Sequence, residues 1–319
     1  WATALPETVV SNDDLASLFD TSDEWIVERS GIHSRRAAWG PFADPPPPLE
    51  PGEDGIGTTA KLAADAGRQA LERAGVSGPD VSLLILCTTT PDQLIPATSS
   101  AVSAMLGIGG GAMDINAACA GFTYGLVSAC GFIAAGAERV LLVGAETMTR
   151  AVNWEDRTNA FLFGDGAGAV VVEAIPGEGS LLGWDLGVDG SLVHLLYAEH
   201  GSGMVMRGKE VFRRAVLATV ESARSSMEKA KVSVDDIALF VPHQANIRIM
   251  DAAAQRLGLP ADRVASVIDR TGNTSSASIP LALVEAAESG RLHPGDLVLL
   301  AGFGAGMTWA SAVWRWGPP

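Results

Sequence analysis

Three residues of this sequence could do chemistry together: Cys119 in AACAG, His243 in VPHQAN and Asn273 in RTGNTSSASIP. Residues 113–115 read as the end of a buried strand, and the small and apolar residues from Gly121 onward read as a helix. Cys119 falls in the tight connection between them, at a helix N-terminus. Unpaired N–H groups there favour a thiolate, so a lowered pKa is predicted. Flanking Ala117, Ala118, Ala120 and Gly121 leave room for an incoming acyl group. A structural thiol packed where strand meets helix fits the same local pattern, so the partners decide the reading. His243 follows the apolar run 237–241, and Asn273 lies in a Gly, Thr and Ser loop before another apolar helix. A thiol, an imidazole and a carboxamide in separate strand-end loops suit thioester chemistry: one nucleophile and two groups able to steady developing negative charge.

The elements that must position these residues repeat. LERAGVSGPDVSLLIL (71–86) and MEKAKVSVDDIALFVP (227–242) share one helix–turn–strand pattern at an offset of about 156 residues. Apolar strands at 140–143 and 297–300 correspond as well, each followed by a Gly-rich turn running into another strand, GDGAGAVVVEA and GFGAGMTWASAVWRW. The pattern predicts two similar α/β halves, residues 1–174 carrying Cys119 and residues 175–319 carrying His243 and Asn273, with the site at their junction.

Composition limits what such a protein could do. With 319 residues and 47% hydrophobic content the chain can bury one large core or two fused ones. No uncharged apolar window is long enough to cross a bilayer, and no basic-then-apolar leader opens the sequence, so no membrane partner and a cytoplasmic location are expected. Cys87, Cys119 and Cys130 are too few and odd in number for a disulfide framework, and Cys87 and Cys130 read as buried thiols. A net charge of −15 argues against nucleic acid, whose phosphates would be repelled over most of the surface.

Five stretches, AACAGFTYG, FGDGAGAVV, VPHQANIRI, GNTSSASIP and GFGAGMTW, run in order over nearly the whole chain. Together they resemble the β-ketoacyl-ACP synthase III family of the thiolase superfamily. The resemblance implies an α/β, thiolase-like fold with two duplicated halves in a layered αβαβα architecture. It implies a condensing enzyme in which acyl-CoA loads Cys119 and malonyl-ACP or malonyl-CoA then condenses with loss of carbon dioxide. Elongating ketosynthases pair Cys with two His and degradative thiolases add a second catalytic Cys; neither pattern is evident here.

By the same resemblance, His243 and Asn273 complete the catalytic set, and the backbone N–H groups of Cys119 and Ala305 form the oxyanion hole. Phe303 shields the site. Trp25 and Arg157 sandwich the adenine of coenzyme A, Arg29 lies near its phosphates, and Phe212, Asn246 and Arg248 border the pantetheine path. Arg213, Arg214 and Arg256 join Arg248 as candidates for the basic patch that an acyl carrier protein would need on so acidic a surface. A homodimer is implied, with Ile95 reaching the partner's acyl pocket, and neither a metal nor a tightly bound cofactor is expected beyond coenzyme A thioesters as substrates.

Other features read as structural. Asp165 ties its Gly-rich turn by side-chain to backbone hydrogen bonds. Asn12 and Asp13 cap a helix through Phe19, and Thr21, Ser22 and Asp23 cap the next. His194 and His200 are solvated loop residues, in a segment shorter than in relatives. The stretch WGPFADPPPPLEPGEDG is a surface excursion with no function assigned. Relatives carry a whole strand before ATALPETVVSN, so the sequence reads as beginning inside it. A family member that passes its acyl group to an oxygen, nitrogen or other non-malonyl acceptor would keep Cys119 too; a purely structural partner would not need it. Acetyl, branched, long-chain and aromatic primers all stay open, as does a fatty-acid or a specialised-metabolism role.

Overall fold

The computed structural model describes residues 1–42, 57–154, 156–199 and 203–317, so most of the proline-rich excursion and His200 lie outside the described residues. The chain opens with β1 (Ala2–Ala4), β2 (Val9–Ser11), α1 (Asn12–Ala16), α2 (Asp23–Ser30) and β3 (Ser34–Arg36). Next come α3 (Thr58–Ala74), β4 (Leu83–Cys87), α4 (Thr98–Leu106), β5 (Gly111–Ile115), α5 (Gly121–Ala134), β6 (Arg139–Thr147) and β7 (Asp165–Glu173). Then follow β8 (Leu181–Val188), β9 (Leu196–Tyr197), β10 (Val205–Met206), α6 (Gly208–Ala230), β11 (Ile237–Pro242) and α7 (Ile247–Leu257). The last elements are α8 (Ile268–Thr271), α9 (Ser278–Glu288), β12 (Leu297–Gly304) and β13 (Thr308–Arg315).

Two sheets carry the same order, β1-β7-β6-β4-β5 and β8-β13-β12-β11. In each, the second strand runs antiparallel to both its neighbours and the third pairs parallel with the fourth. The fifth strand of the second sheet shrinks to a single parallel bridge, Phe240 with Val264. Helices α5 and α9 each touch both sheets and form the middle layer, while α3 and α4 cover the first sheet and α6 and α7 the second. The result is the αβαβα stack expected from the sequence.

Sequence explains the layers. β6 is buried on both faces because helices lie above and below it, which is why RVLLVGAET lacks the polar alternation of a one-sided strand. Phe122 and Leu126 of α5 join Ile279 and Leu283 of α9 and the inner faces of both sheets in one core. Each such side chain contributes roughly 1.5–3 kcal/mol by leaving water.

The repeated turns use repeated chemistry. Ser77 and Asp80 form a capping box before β4, and Ser233 and Asp236 form the same box before β11. Asp92 accepts from the Thr59 and Ala60 N–H groups at 3.0 and 2.9 Å, capping α3 from the loop after β4. Asp114 of β5 does the same for α4 through Thr98 and Ser99, both at 2.8 Å.

Some expectations need correcting. Ser11, in a capping box with Asp14, caps α1, which ends at Ala16; Asn12 is buried instead, donating to Asp23 and to the Ile32 carbonyl, each at 2.7 Å. Ser22 does cap α2, accepting from Trp25 N–H. β5 is a partly exposed edge strand, since β4 pairs with only one of its edges. Cys130 is half-buried, on the outer part of α5, whereas Cys87 is fully buried.

Candidate active site

A cavity of about 660 Å³ opens where the C-terminal ends of β4, β5, β11 and β12 meet, and Cys119, His243 and Asn273 all line it. Cys119 sits in a 3-10 turn, Ala118–Ala120, that runs directly into α5. The end of β12 presses on that turn. A Cβ at Gly304 would lie 2.5 Å from the Cys119 amide nitrogen, and one at Gly302 would lie 2.9 Å from Ala120 Cα. Glycine is required at both places for this close approach, not for an unusual φ. Gly304→Ala is expected to lower the thermal midpoint and block acyl loading, because the new methyl meets backbone that cannot swing away. Overpacking of this kind costs about 1–3 kcal/mol. Differential scanning fluorimetry with intact-mass detection of loading tests both, and a normally loading, equally stable variant would contradict the close approach.

The three side chains are 9%, 7% and 7% exposed, in the order Cys119, His243, Asn273. Asn273 is oriented by the Ser275 N–H, which donates to its Oδ1 at 2.9 Å and leaves Nδ2 as the free end. Asn116 makes the same bond to the Ala118 N–H at 3.2 Å, and Ala118 and Ser275 share φ of 48°. The turns before α5 and α9 are thus one device used twice, once holding the thiol and once the carboxamide.

His243 continues β11, its N–H bonded to Ala301 O at 2.8 Å, and its Nδ1 lies 2.6 Å from Ser278 Oγ. Burial pushes the imidazole down to about 3, so it is neutral at physiological pH. Because the unfolded imidazole titrates near 6.5, the unfolded chain binds a proton between those values that the folded chain refuses. This contribution to stability is therefore present above pH 6.5 and lost as pH falls toward 3. Urea unfolding at stepped pH is expected to show parent and His243→Asn converging between pH 7 and 4; parallel losses would assign the acid lability elsewhere.

The thiol departs from expectation. Burial pushes Cys119 from 9.0 up to about 12, against the Ser275 hydroxyl, which pulls it down. That rise corresponds to roughly 4 kcal/mol, whereas a helix terminus typically returns about 0.3–2 kcal/mol. Desolvation wins, and the resting group is a thiol. The Glu146 carboxylate adds to the rise. It is fully buried behind the site, held by the Thr89, Thr90 and Ser276 N–H groups and by four neighbouring hydroxyls.

The expected substrate contacts divide. Arg29, Phe212, Asn246, Phe303 and Ala305 line the cavity. Trp25, Arg157 and Arg248 do not. Trp25 lies edge-on to Phe161, and the Arg29 guanidinium covers its ring at 4.3 Å. Arg157 donates to the Asp20 carbonyl at 2.7 Å and lies 3.1 Å from its carboxylate. Opposite charge holds it there, though so exposed a pair is weak. Arg248 lies 3.8 Å from Glu28. Asn246 uses both ends of its amide, capping α7 through Arg248 N–H and donating to Arg29 O at 2.8 Å, which ties the cavity wall to α2.

Arg213, Arg214 and Arg256 are exposed, as is His194. Asp165 is structural, but it reaches beyond its own turn, accepting from the Ala38 and Thr149 N–H groups at 2.7 and 2.8 Å, and burial pushes it up to about 6. Among the described residues, no cluster of three His, Cys, Asp or Glu side chains could hold a metal ion. Sequence reasoning missed Ser275, Ser278, Gln244 and Glu146; the run of small hydroxyl residues in NTSSAS was the one local signal for the serines.

Comparison with known proteins agrees with this fold. Residues 113–190 match the family 3-oxoacyl-[acyl-carrier-protein (ACP)] synthase III, and residues 227–316 match its C-terminal part. The β-ketoacyl-[acyl-carrier-protein] synthase III of Rhizorhabdus wittichii is 47% identical over 98% of this chain and 97% of its own. The crystal structure of 3-oxoacyl-[acyl-carrier-protein] synthase III from Aquifex aeolicus superposes with a TM-score of 0.91 at 41% identity, covering 99% of this chain and 98% of that one. A priming β-ketosynthase of a polyketide biosynthetic pathway superposes at 0.89 with 37% identity, covering 100% of this chain and 95% of its own. Matched end to end in sequence and in its two-sheet fold, the chain belongs to the 3-oxoacyl-[acyl-carrier-protein] synthase III family of thiolase-fold condensing enzymes.

Proposed function

We propose that this enzyme loads an acyl group from coenzyme A onto Cys119 and condenses it with a malonyl thioester to give a β-ketoacyl thioester. The observation that carries the reading is one cavity wall bearing Cys119, His243 and Asn273, with the end of β12 against the Cys119 backbone. In the first stage the Cys119 sulfur attacks the thioester carbonyl, the bond to the coenzyme A sulfur breaks, and the thiol proton leaves with that sulfur. One thioester replaces another, so the step is close to energy-neutral. The Cys119 and Ala305 N–H groups receive the oxyanion.

In the second stage the malonyl carboxylate leaves as carbon dioxide, and its bonding electron pair becomes an enolate on the thioester oxygen. His243 Nε2–H and Asn273 Nδ2–H donate to that oxygen, each worth about 3 kcal/mol in the transition state. The carbanion then attacks the Cys119 acyl carbonyl; a carbon–carbon bond forms, the carbon–sulfur bond breaks, and the released Cys119 thiolate takes up a proton from solvent. Phe303, 6% exposed, keeps water from the carbanion.

Phe212, Asn246 and Arg248 would border the pantetheine path, with Arg29 near the phosphates and Trp25 and Arg157 at the adenine. Carrier-protein docking would use the exposed Arg213, Arg214, Arg248 and Arg256. The repeated strand order supports reading 1–174 and 175–319 as the two halves. A homodimer joined along the β5 edge is supported by Leu94 and Ile95, 82% and 81% exposed beside it; a single-chain mass in sedimentation would remove it. Cytoplasmic action is supported by three free cysteines, and fractionation of cells tests it. Among the described residues no helix is long and apolar enough to cross a membrane.

Malonyl thioester labelled in its free carboxylate is the deciding substrate. Labelled carbon dioxide is expected only when an acyl-CoA primer or the acylated enzyme is supplied. Transfer of the acyl group to another acceptor with the label retained would instead establish a non-condensing acyltransferase.

A further inference from the structure

We infer that Ser278 is a positioning residue that fixes the proton of His243 on Nε2, holding Nδ1 as an acceptor and leaving Nε2–H as the donor for the cleft. The inference rests on the condensing role proposed above and deepens it.

Ser278 is the first residue of α9 and is fully buried. Its Oγ has two partners among the described residues, His243 Nδ1 at 2.6 Å and the Gln244 N–H at 3.3 Å. A backbone N–H only donates, so Gln244 occupies a lone pair of Oγ. The hydroxyl hydrogen must then find an acceptor, and Nδ1 is the one within reach. The opposite tautomer, Nδ1–H donating to Oγ, would strand that hydrogen in a fully buried place, which buried polar groups avoid.

The frame around this contact is rigid. The Gln244 side chain donates to Pro242 O at 2.7 Å and accepts from Val267 N–H at 2.9 Å, so the backbone that aims its own N–H at Ser278 has one direction. The duplicated half gives an independent comparison. There the corresponding helix α5 begins with Gly121, which has no hydroxyl, and Thr88 follows β4 where His243 follows β11. Imidazole and hydroxyl occur together in one half and are both missing from the other. With Asn273 Oδ1 already taken by Ser275 N–H, the cleft receives two donors and no acceptor from this pair, which is what an enolate oxygen requires.

The test uses the full chain labelled with ¹⁵N-histidine, the His243 signals being those lost in His243→Asn. At pH 7 long-range proton–nitrogen spectra are expected to show a protonated Nε2 and an unprotonated Nδ1; the reverse pattern overturns the inference without reference to activity. Ser278→Ala is expected to mix the tautomers and slow release of labelled carbon dioxide on the order of 10- to 100-fold, with acyl loading retained as the check on folding. A variant that keeps both the parental tautomer and the parental release rate overturns it as well. If Ser278→Ala does not fold, the parent spectrum decides alone. If the parent releases no carbon dioxide, the condensing role fails while the tautomer is still read.

Discussion

Mixed with acyl-CoA, Cys119→Ala is expected to keep its unmodified mass, while the parent gains one acyl group per chain. No other thiol can take over. Cys119 is the cysteine lining the cavity among the described residues; Cys87 is fully buried beneath the turn, and Cys130 lies farther along α5. Condensation should fall on the order of 1,000-fold or more, because no neighbouring group supplies a sulfur nucleophile. The raised pKa sharpens the expectation. A thiol near 12 is alkylated by iodoacetamide far more slowly at pH 7 than an ordinary cysteine. On the proposed mechanism acyl transfer is then accelerated by oxyanion donors in the transition state and not by a standing thiolate. An acyl adduct on Cys119→Ala, mapped to any other residue, would remove the assignment.

Much of this site was legible because the chain says the same thing twice. The Ser–x–x–Asp boxes at 77–80 and 233–236, and the Asn-led turns before α5 and α9, are local patterns whose geometry follows from a few consecutive residues. Cys119 and Asn273 lie in the two Asn-led turns and His243 follows the strand after the second box, so their convergence could be read from strand ends and loops. What was not legible depends on segments far apart in sequence. The Cys119 pKa follows from burial beneath β12 and β13, and no dipole argument on one helix contains that. Arg157 pairs with Asp20, 137 residues earlier, a contact that neither local stretch announces. Ser278 looks like one more small residue in a serine-rich loop until the fold sets its hydroxyl against an imidazole 35 residues away.

The His243→Ala variant separates the two stages. It is expected to load acyl groups at close to the parental extent and to release almost no labelled carbon dioxide from the malonyl thioester. Loading does not need the imidazole as a base: burial holds it well below physiological pH, near 3, and the Cys119 proton can depart with the coenzyme A sulfur. On the proposed mechanism decarboxylation does need it, because the neutral ring supplies one of two side-chain donors to the enolate. Removing one donor of that kind costs about 100- to 1,000-fold in rate. Asn273→Ala should show the same split, since the proposed mechanism aims its Nδ2 at the same oxygen. The neutral ring also predicts that the parental condensation rate shows no histidine step between pH 5.5 and 8 in this window of roughly unchanged ionisation. Full condensation by His243→Ala, or a rate that rises through an ordinary histidine pKa, would take the imidazole out of the enolate site and leave Asn273 and the backbone to carry it.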